Sequence, residues 1–302
     1  MSDLVIRPLV ADETPLFHSL TDPGLVGRVV LGEPYRMAAD GGEYRPEWTW
    51  VALRDGVVVA RAAWWAGPDD EQPKALDWFD FADGETEAAV QLLRTAPLYG
   101  EFSLLLPPGW RDRPELVAAA RSRIDAVTAA GLQQLVERYR YTWTIADPLP
   151  ARTGRLEYRP VTEDAVILDV LLRIQQDTLD AHDRAEIEKN GHEAAAREAL
   201  EFLDWFPSPR DWWRLAYTPG GELAGIHIPA RNPANWVIGY LGVLPEQRGR
   251  GYAYDLLVEC THDLVERGAE RIAAATDQGN FPMAANFAKA GYPVSQERID
   301  FV

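Results

Sequence analysis

The chemistry most legible in this chain lies at Arg248-Gly-Arg-Gly-Tyr-Ala253, where an apolar run closes at Pro245 and a helical pattern opens just beyond two glycines. Without a Cβ, Gly249 and Gly251 let their backbone N–H groups approach an anion, and a helix starting there adds the positive end of its dipole. The group this suits is a pyrophosphate. A glycine pair alone also marks an ordinary turn, so the surrounding elements have to decide between the two uses.

Groups able to move a proton are sparser. The long strand read over 235–244 holds no acid; Tyr240 is the titratable side chain on it. His227 alternates with Ile226 and Ile228, which puts it on the face opposite to them, either in a cleft or exposed on the strand. Asp277 stands where a strand ends, the place at which α/β ligand crevices open, although an Asp before Gln-Gly-Asn also forms turns. Asp180, His182 and Asp183 occupy a polar connection between helices and are candidate substrate contacts, with a solvated loop as the alternative. Cys260 falls at an apolar helical position, as a core thiol does and a nucleophile does not. No pair of histidines and carboxylates has metal-ligand spacing, so no metal is expected.

The elements that must position these groups are written twice. Leu4-Val-Ile-Arg-Pro-Leu9 answers to Leu156-Glu-Tyr-Arg-Pro-Val161, each a strand followed by capping residues. Hairpins follow in both halves, around Asp55-Gly56 and around Pro219-Gly-Gly221, and both halves end in a helix, a turn at Ala130-Gly131 or Ala290-Gly291, and a strand. Between them Ala146-Asp-Pro-Leu-Pro-Ala-Arg-Thr-Gly154 reads as a linker. The chain therefore divides into residues 1–147 and 155–302. Each half runs strand, helices, hairpin, third strand, helix, strand, helix, strand, an α/β (α+β) arrangement with a mixed sheet flanked by helices.

Composition narrows the function. With 302 residues, 47% of them hydrophobic, two cores can be filled. Lys and Arg number 30 against 47 Asp and Glu, and the net charge of −17 argues against binding nucleic acid and is compatible with a cationic or neutral small molecule. No apolar run reaches the roughly 18 residues of a membrane span, and the opening residues lack the regions of a signal peptide. A cytoplasmic protein without a membrane partner is expected.

The stretch from Arg155 to Val302 resembles the GNAT superfamily of acyl-CoA-dependent N-acetyltransferases. Arg248 to Ala253 fits its Arg/Gln-x-x-Gly-x-Gly/Ala turn, and Asn280 with Gly291-Tyr292 matches its second motif. Tandem two-domain members of the mycothiol synthase type are similar in outline. The resemblance implies acetyl-CoA, or another acyl-CoA, as co-substrate and a small-molecule amine as acceptor. The backbone of Leu241, Gly242 and Val243 would pair with the pantetheine arm, and that of Arg248, Gly249, Arg250, Gly251, Tyr252 and Ala253 would hold the pyrophosphate. Asn280 would contact the arm, or merely cap the helix that follows it. Where many members carry a Tyr that protonates the departing thiolate, this chain has Phe287, which has no proton to give. His227, Tyr240 and Asp277 are then the catalytic candidates, and Asp180, His182 and Asp183 the substrate contacts.

The first half supplies a control. At the position of the glycine turn it has Asp83-Gly-Glu-Thr-Glu87, whose carboxylates would repel a pyrophosphate. The expectation is a degenerate GNAT-like first domain and a catalytic second one. The alternative is a protein that binds acyl-CoA as a sensor or scaffold without turnover.

Overall fold

The computed structural model describes residues 3–302 apart from 22, 33, 68, 69 and 98. The first half of the chain forms β1 (Leu4–Pro8), α1 (Thr14–His18), β2 (Thr49–Arg54), β3 (Val57–Trp65), β4 (Ala75–Phe81), α2 (Thr86–Thr95), β5 (Glu101–Leu106), α3 (Pro114–Ala130) and β6 (Gln134–Thr144). The second forms β7 (Glu157–Pro160), α4 (Asp164–Ile174), α5 (Ala181–Asn190), α6 (His192–Asp204), β8 (Arg214–Tyr217), β9 (Leu223–Arg231), β10 (Trp236–Val243), α7 (Tyr252–Glu266), β11 (Arg271–Asp277), α8 (Phe281–Lys289) and β12 (Val294–Phe301). The succession of elements repeats as the sequence predicts. Among the described residues no helix is long and apolar enough to cross a membrane.

Two compact units result, and they do not part at the expected linker. Met1–Glu137 with Gln296–Val302 make one, and Arg138–Ser295 make the other. Hydrogen bonding corrects the boundary. From Arg138 onward β6 pairs antiparallel with β11, Arg138↔Asp277 through Thr144↔Arg271, whereas β12 pairs with β5, Glu297↔Leu106 through Phe301↔Phe102. Each unit thus takes a strand from the other half of the sequence. The segment read as a linker packs on α7 within the second unit: Arg152 pairs with Glu259 and Glu266, and His262 Nε2 lies 2.7 Å from the Pro150 carbonyl.

In the first unit the strands lie in the order β1-β2-β3-β4-β5-β12, antiparallel except for β4 with β5. The hairpin of β2 and β3 turns on Asp55 and Gly56, both with positive φ, as a two-residue turn that matches strand twist requires. α2 and α3 cover one face, burying Leu92, Leu116, Phe102 and Phe301 together. On the other face Phe17, Tyr35, Tyr44 and Trp78 form an aromatic cluster. Trp48, Trp64 and Trp78 are buried in these cores, so the tryptophans of this half serve packing.

In the second unit the order is β6-β11-β10-β9-β8-β7, with β10 and β11 parallel. α4 and α6 close one face through Ile167, Leu171, Leu200, Ile226 and Ile228; α7 and α8 close the other through Leu257, Cys260, Leu264, Ile272 and Phe287. Cys260 is fully buried and burial pushes its thiol up, as befits a core residue. His227 lies on the face opposite to Ile226 and Ile228, as its alternation requires. Its surroundings differ from both expectations. It is 0% exposed, with the Tyr158 ring 5.2 Å away and Asp263 Oδ2 of α7 3.8 Å from Nε2; among the described residues neither ring nitrogen has a hydrogen-bond partner. Burial, then Arg214 and Arg267, lower its pKa to about 3. A ring that resists protonation in a sealed core is not the base of a cleft, because a helix lies over the strand position that alternation alone leaves open.

Two outcomes follow from this packing. Phe301→Ala deletes a fully buried ring of the first unit and should cost about 3–5 kcal/mol in denaturant unfolding, with faster hydrogen exchange in β4 and β5 and little change in β9 and β10. In the unfolded chain His227 takes up a proton near pH 6.5, while the folded chain refuses it until about 3. Stability should therefore fall as pH drops below 6.5, by about 1.4 kcal/mol per pH unit from this group, and His227→Leu should remove that share of the slope. Stability that instead rose on acidification in the wild type alone would mean that His227 and Asp263 form an ion pair.

Candidate functional site

β10 and β11 run side by side only briefly. Their register pairs are Trp236↔Ile272 and Val237↔Ala273, and among the described residues the pairing goes no further. On its other edge β10 stays with β9 to the end, Tyr240↔Ile228 through Val243↔Gly225, after an irregularity between Ile238 and Tyr240. The stretch from Ile238 to Val243 thus presents one strand edge that has left its neighbour, a template for an extended chain. Gly242 is where α4 comes closest. A Cβ there would stand 2.5 Å from Ile174 Cδ1, so only glycine lets the helix end settle on the strand.

Past Val243 the chain makes a short 3-10 turn at Pro245–Gln247 and reaches the glycines. Gly249 and Gly251 have φ of 78° and 81°, the left-handed region that costs other residues about 1–2 kcal/mol. This geometry turns successive N–H groups to one side. The N–H of Arg248 is taken by the Pro245 carbonyl and that of Tyr254 by the Gly251 carbonyl. The five between, Gly249 to Ala253, meet no protein acceptor among the described residues, and α7 begins at Tyr252 with its positive end among them. Gly249, Arg250, Gly251, Tyr252 and Ala253, expected to hold a pyrophosphate, thus share one run of unpaired N–H groups among the described residues. Arg248 is corrected: its N–H is occupied, and its side chain bonds the carbonyls of Val243, Ile174 and Gln176.

Arg155, which carries no motif in sequence, braces the cradle. Its guanidinium bonds the Arg250 carbonyl at 2.8 Å and the buried Asp255 carboxylate at 2.6 Å, and lies over the Tyr252 ring. Asp255 therefore faces inward, where helical spacing alone turns it to solvent. Asn280 caps α8: its Oδ1 accepts from the Met283 N–H at 3.2 Å. Phe287 is buried, stacked on Tyr141 at 4.2 Å and edge-on to Tyr292.

The remaining candidates gather at the C-terminal end of β11. Asp277 Oδ2 accepts from the Ala181 N–H at 2.7 Å, and its Oδ1 lies 3.0 Å from Arg138 Nε. Asp180 caps α5 through the N–H groups of His182 and Asp183, and its other oxygen meets Arg138 at 3.3 Å. Asp183 accepts from Gln175 and Thr178. Burial, then Asp180, push the carboxyls of both Asp183 and Asp277 above the usual range. Burial, then the same two aspartates of α5, Asp183 and Asp180, raise the Tyr240 hydroxyl. The fold thus brings Asp180, His182, Asp183, Asp277 and Tyr240 to one end of the unit and leaves His227 outside. Sequence reading misses Arg138, because its strand belongs by sequence to the other half; the charged alternation Glu137-Arg138-Tyr-Arg-Tyr141 is the signal that could have found it. Beside this group an open cavity of about 330 Å³ is lined by Gln175, Asp177, Thr178, Arg184, Glu188 and His192.

The first unit answers as the control. β4 and β5 also part after two pairs, Ala75↔Glu101 and Leu76↔Phe102. Its own chain fills the opening: Gly27 N–H bonds the Leu105 carbonyl at 2.7 Å, Val26 is buried with Leu104 and Leu106, and Arg28 reaches Asp77 at 3.5 Å. At the start of α2, Glu85 and Glu87 stand where the second unit has Gly251 and Ala253, with Glu85 paired to Arg54. A cavity of about 540 Å³ in this unit is lined by His18, Tyr35, Arg61 and Trp78 among others, on the face away from α2 and so not at the glycine-turn position.

Comparisons with known proteins agree with this geometry. Residues 176–292 match the model of the acetyltransferase (GNAT) family. No curated protein matches. A GCN5-related N-acetyltransferase from Sphaerobacter thermophilus is similar in fold, with a TM-score of 0.57 at 15% identity over 99% of this chain and 94% of that one. So is a tandem GNAT protein from the clavulanic acid biosynthesis pathway, with a TM-score of 0.50 at 17% identity over 99% and 98%. The matched segment holds the parted strands, the glycine turn and the second motif in order, and this part of the chain is similar to the acetyltransferase (GNAT) family.

Proposed function

We propose that the protein is an acetyl-CoA-dependent N-acetyltransferase that passes the acyl group directly to a primary amine of a small molecule. One juxtaposition carries this reading. Five N–H groups without a protein acceptor, at Gly249–Ala253, adjoin a β10 edge that has left β11. A pyrophosphate over the first and an amide-bearing arm along the second are what acyl-CoA offers. Leu241, Gly242 and Val243 pair with the arm. Asn280, with Oδ1 taken by the cap, has its Nδ2 as the donor for contact with the arm.

The thioester then lies near Tyr240, and the acceptor amine beside Asp180, His182 and Asp183. An ammonium gives its proton to Asp183, whose raised pKa makes it a better acceptor than an ordinary carboxylate. The free amine attacks the thioester carbon; the C–N bond forms, the C–S bond breaks, and the proton shed by the new amide nitrogen passes to the departing CoA sulfur. Tyr240, kept protonated by its site, donates a hydrogen bond to the departing thiolate, a role Phe287 cannot take. Asp277 and Arg138 position the start of α5. The chain's net charge of −17 and the two carboxylates of the cavity lining, Asp177 and Glu188 against the single Arg184, support a cationic acceptor. The first half is a degenerate GNAT-like unit, a reading supported by its filled strand opening and acidic turn.

Gly251→Glu sets a carboxylate in the cradle and a side chain in the left-handed region, so calorimetric titration with acetyl-CoA should lose all measurable binding while the fold persists. Wild-type protein that gives no heat with any acyl-CoA would sink the proposal. Tyr240→Phe should lower kcat by about 10²-fold with the KM for acetyl-CoA unchanged within threefold. Binding without turnover across a broad amine panel would favour the second reading, a non-catalytic acyl-CoA sensor, to which the buried Phe287 lends support.

A further inference from the structure

The connection from α4 to α5, Gln175 to Asp180, precedes the residues proposed to meet the amine. It is a succession of tight turns: Gln176 N–H bonds the Arg173 carbonyl, Thr178 N–H bonds the Gln175 carbonyl, and Asp177 holds a φ of 55° without being glycine. The carbonyls at a helix C-terminus have no partner one turn on, and they carry the negative end of the dipole. Here they converge on one cation from another element. Arg248 bonds the Ile174 carbonyl through Nη2 at 2.7 Å, the Gln176 carbonyl through Nη1 at 3.0 Å and the Val243 carbonyl through Nε at 3.3 Å. All three nitrogens of the fork are engaged. The adjacent Glu246 pairs with Arg173 of α4, and Ile174 lies against Gly242, so the end of β10 and its turn grip the last turn of α4 at three places.

From this we infer that Arg248 is a positioning residue that couples the acyl-CoA cradle to the acceptor site: it holds the α4–α5 connection in place, and a cradle ordered by acyl-CoA transmits that order to Asp180, His182 and Asp183. The inference rests on the proposed acyltransferase reading for the identity of the two ligands. The pinning itself rests on the three carbonyl bonds. These three carbonyl bonds take one N–H from each nitrogen of the Arg248 fork and leave one on each Nη.

Hydrogen exchange on the full-length protein tests this without turnover. In Arg248→Met the amides of 174–190 should exchange at least tenfold faster than in the wild type, and in Arg250→Met they should stay within twofold. Arg248→Lys, which keeps the charge but cannot span three carbonyls, should fall between and guards against a fold lost in the Met variant. Adding acetyl-CoA should protect 174–190 in the wild type, whereas in Arg248→Met protection should be confined to 249–254. In amine kinetics Arg248→Met should raise the KM for the acceptor about tenfold and leave the dissociation constant of acetyl-CoA within threefold. Unchanged exchange at 174–190 in the Met variant, or a loss of acetyl-CoA affinity larger than the loss for the amine, would overturn the inference. If wild-type protein binds no acyl-CoA, the acyltransferase reading fails and the coupling with it, while the ligand-free exchange still reads the pin.

Discussion

Two parallel strands that part company set the terms for this fold. Every strand edge carries N–H and C=O groups that need partners, so an opening between parallel neighbours must be filled by something. The two units fill it differently. In the first, the chain sends its own residues 25–31 in, and Gly27 bonds the strand that the opening exposes. In the second, the pairing of β10 with β11 ends after Val237 and the glycine turn follows at the open end. One geometry thus gives a packed core in one unit and an open strand edge in the other.

The groove is held from outside by charge set against carbonyls. Arg155 ties the cradle to α7 through Asp255, and Arg248 ties it to the end of α4. Arginine suits both tasks because its planar fork bonds several acceptors at once without losing its charge. Arg138 does the same at the far end, between the half-buried Asp180 and the buried Asp277, where it keeps the two carboxylates from facing each other unpaired. This end of the unit is therefore acid-lined, with its acidity partly neutralised from the neighbouring strand and Asp183 held by the neutral donors Gln175 and Thr178.

Burial decides which titratable groups take part. His227 and Cys260 are chemically able residues on elements next to the groove, and both are buried between the sheet and α7, His227 from β9 and Cys260 from α7 itself, with their charged forms disfavoured. Tyr240 and Asp183 lie on the other face of the sheet, among polar partners at the helix connection.

The amino-acid sequence by itself determined the repeat, the strand-and-helix succession, the glycine turn and the core place of Cys260, because these are local matters of periodicity, backbone freedom and turn chemistry. It located the acidic group at Asp180–Asp183 and Asp277 as separate candidates. It did not show that they meet, or that Arg138 joins them, since strand pairing across more than 130 residues of chain has no local signal. The exchange of β6 and β12 between the sequence halves was hidden for the same reason: a linker rich in Pro and Gly marks where a chain turns, and hydrogen-bond partners decide to which core a strand belongs. The fates of His227 and Arg248 were likewise left to tertiary structure. Alternation gives the face of a strand, and a motif gives a position, but only the helix packed over that face and the carbonyls within reach of that side chain determine what each group can do.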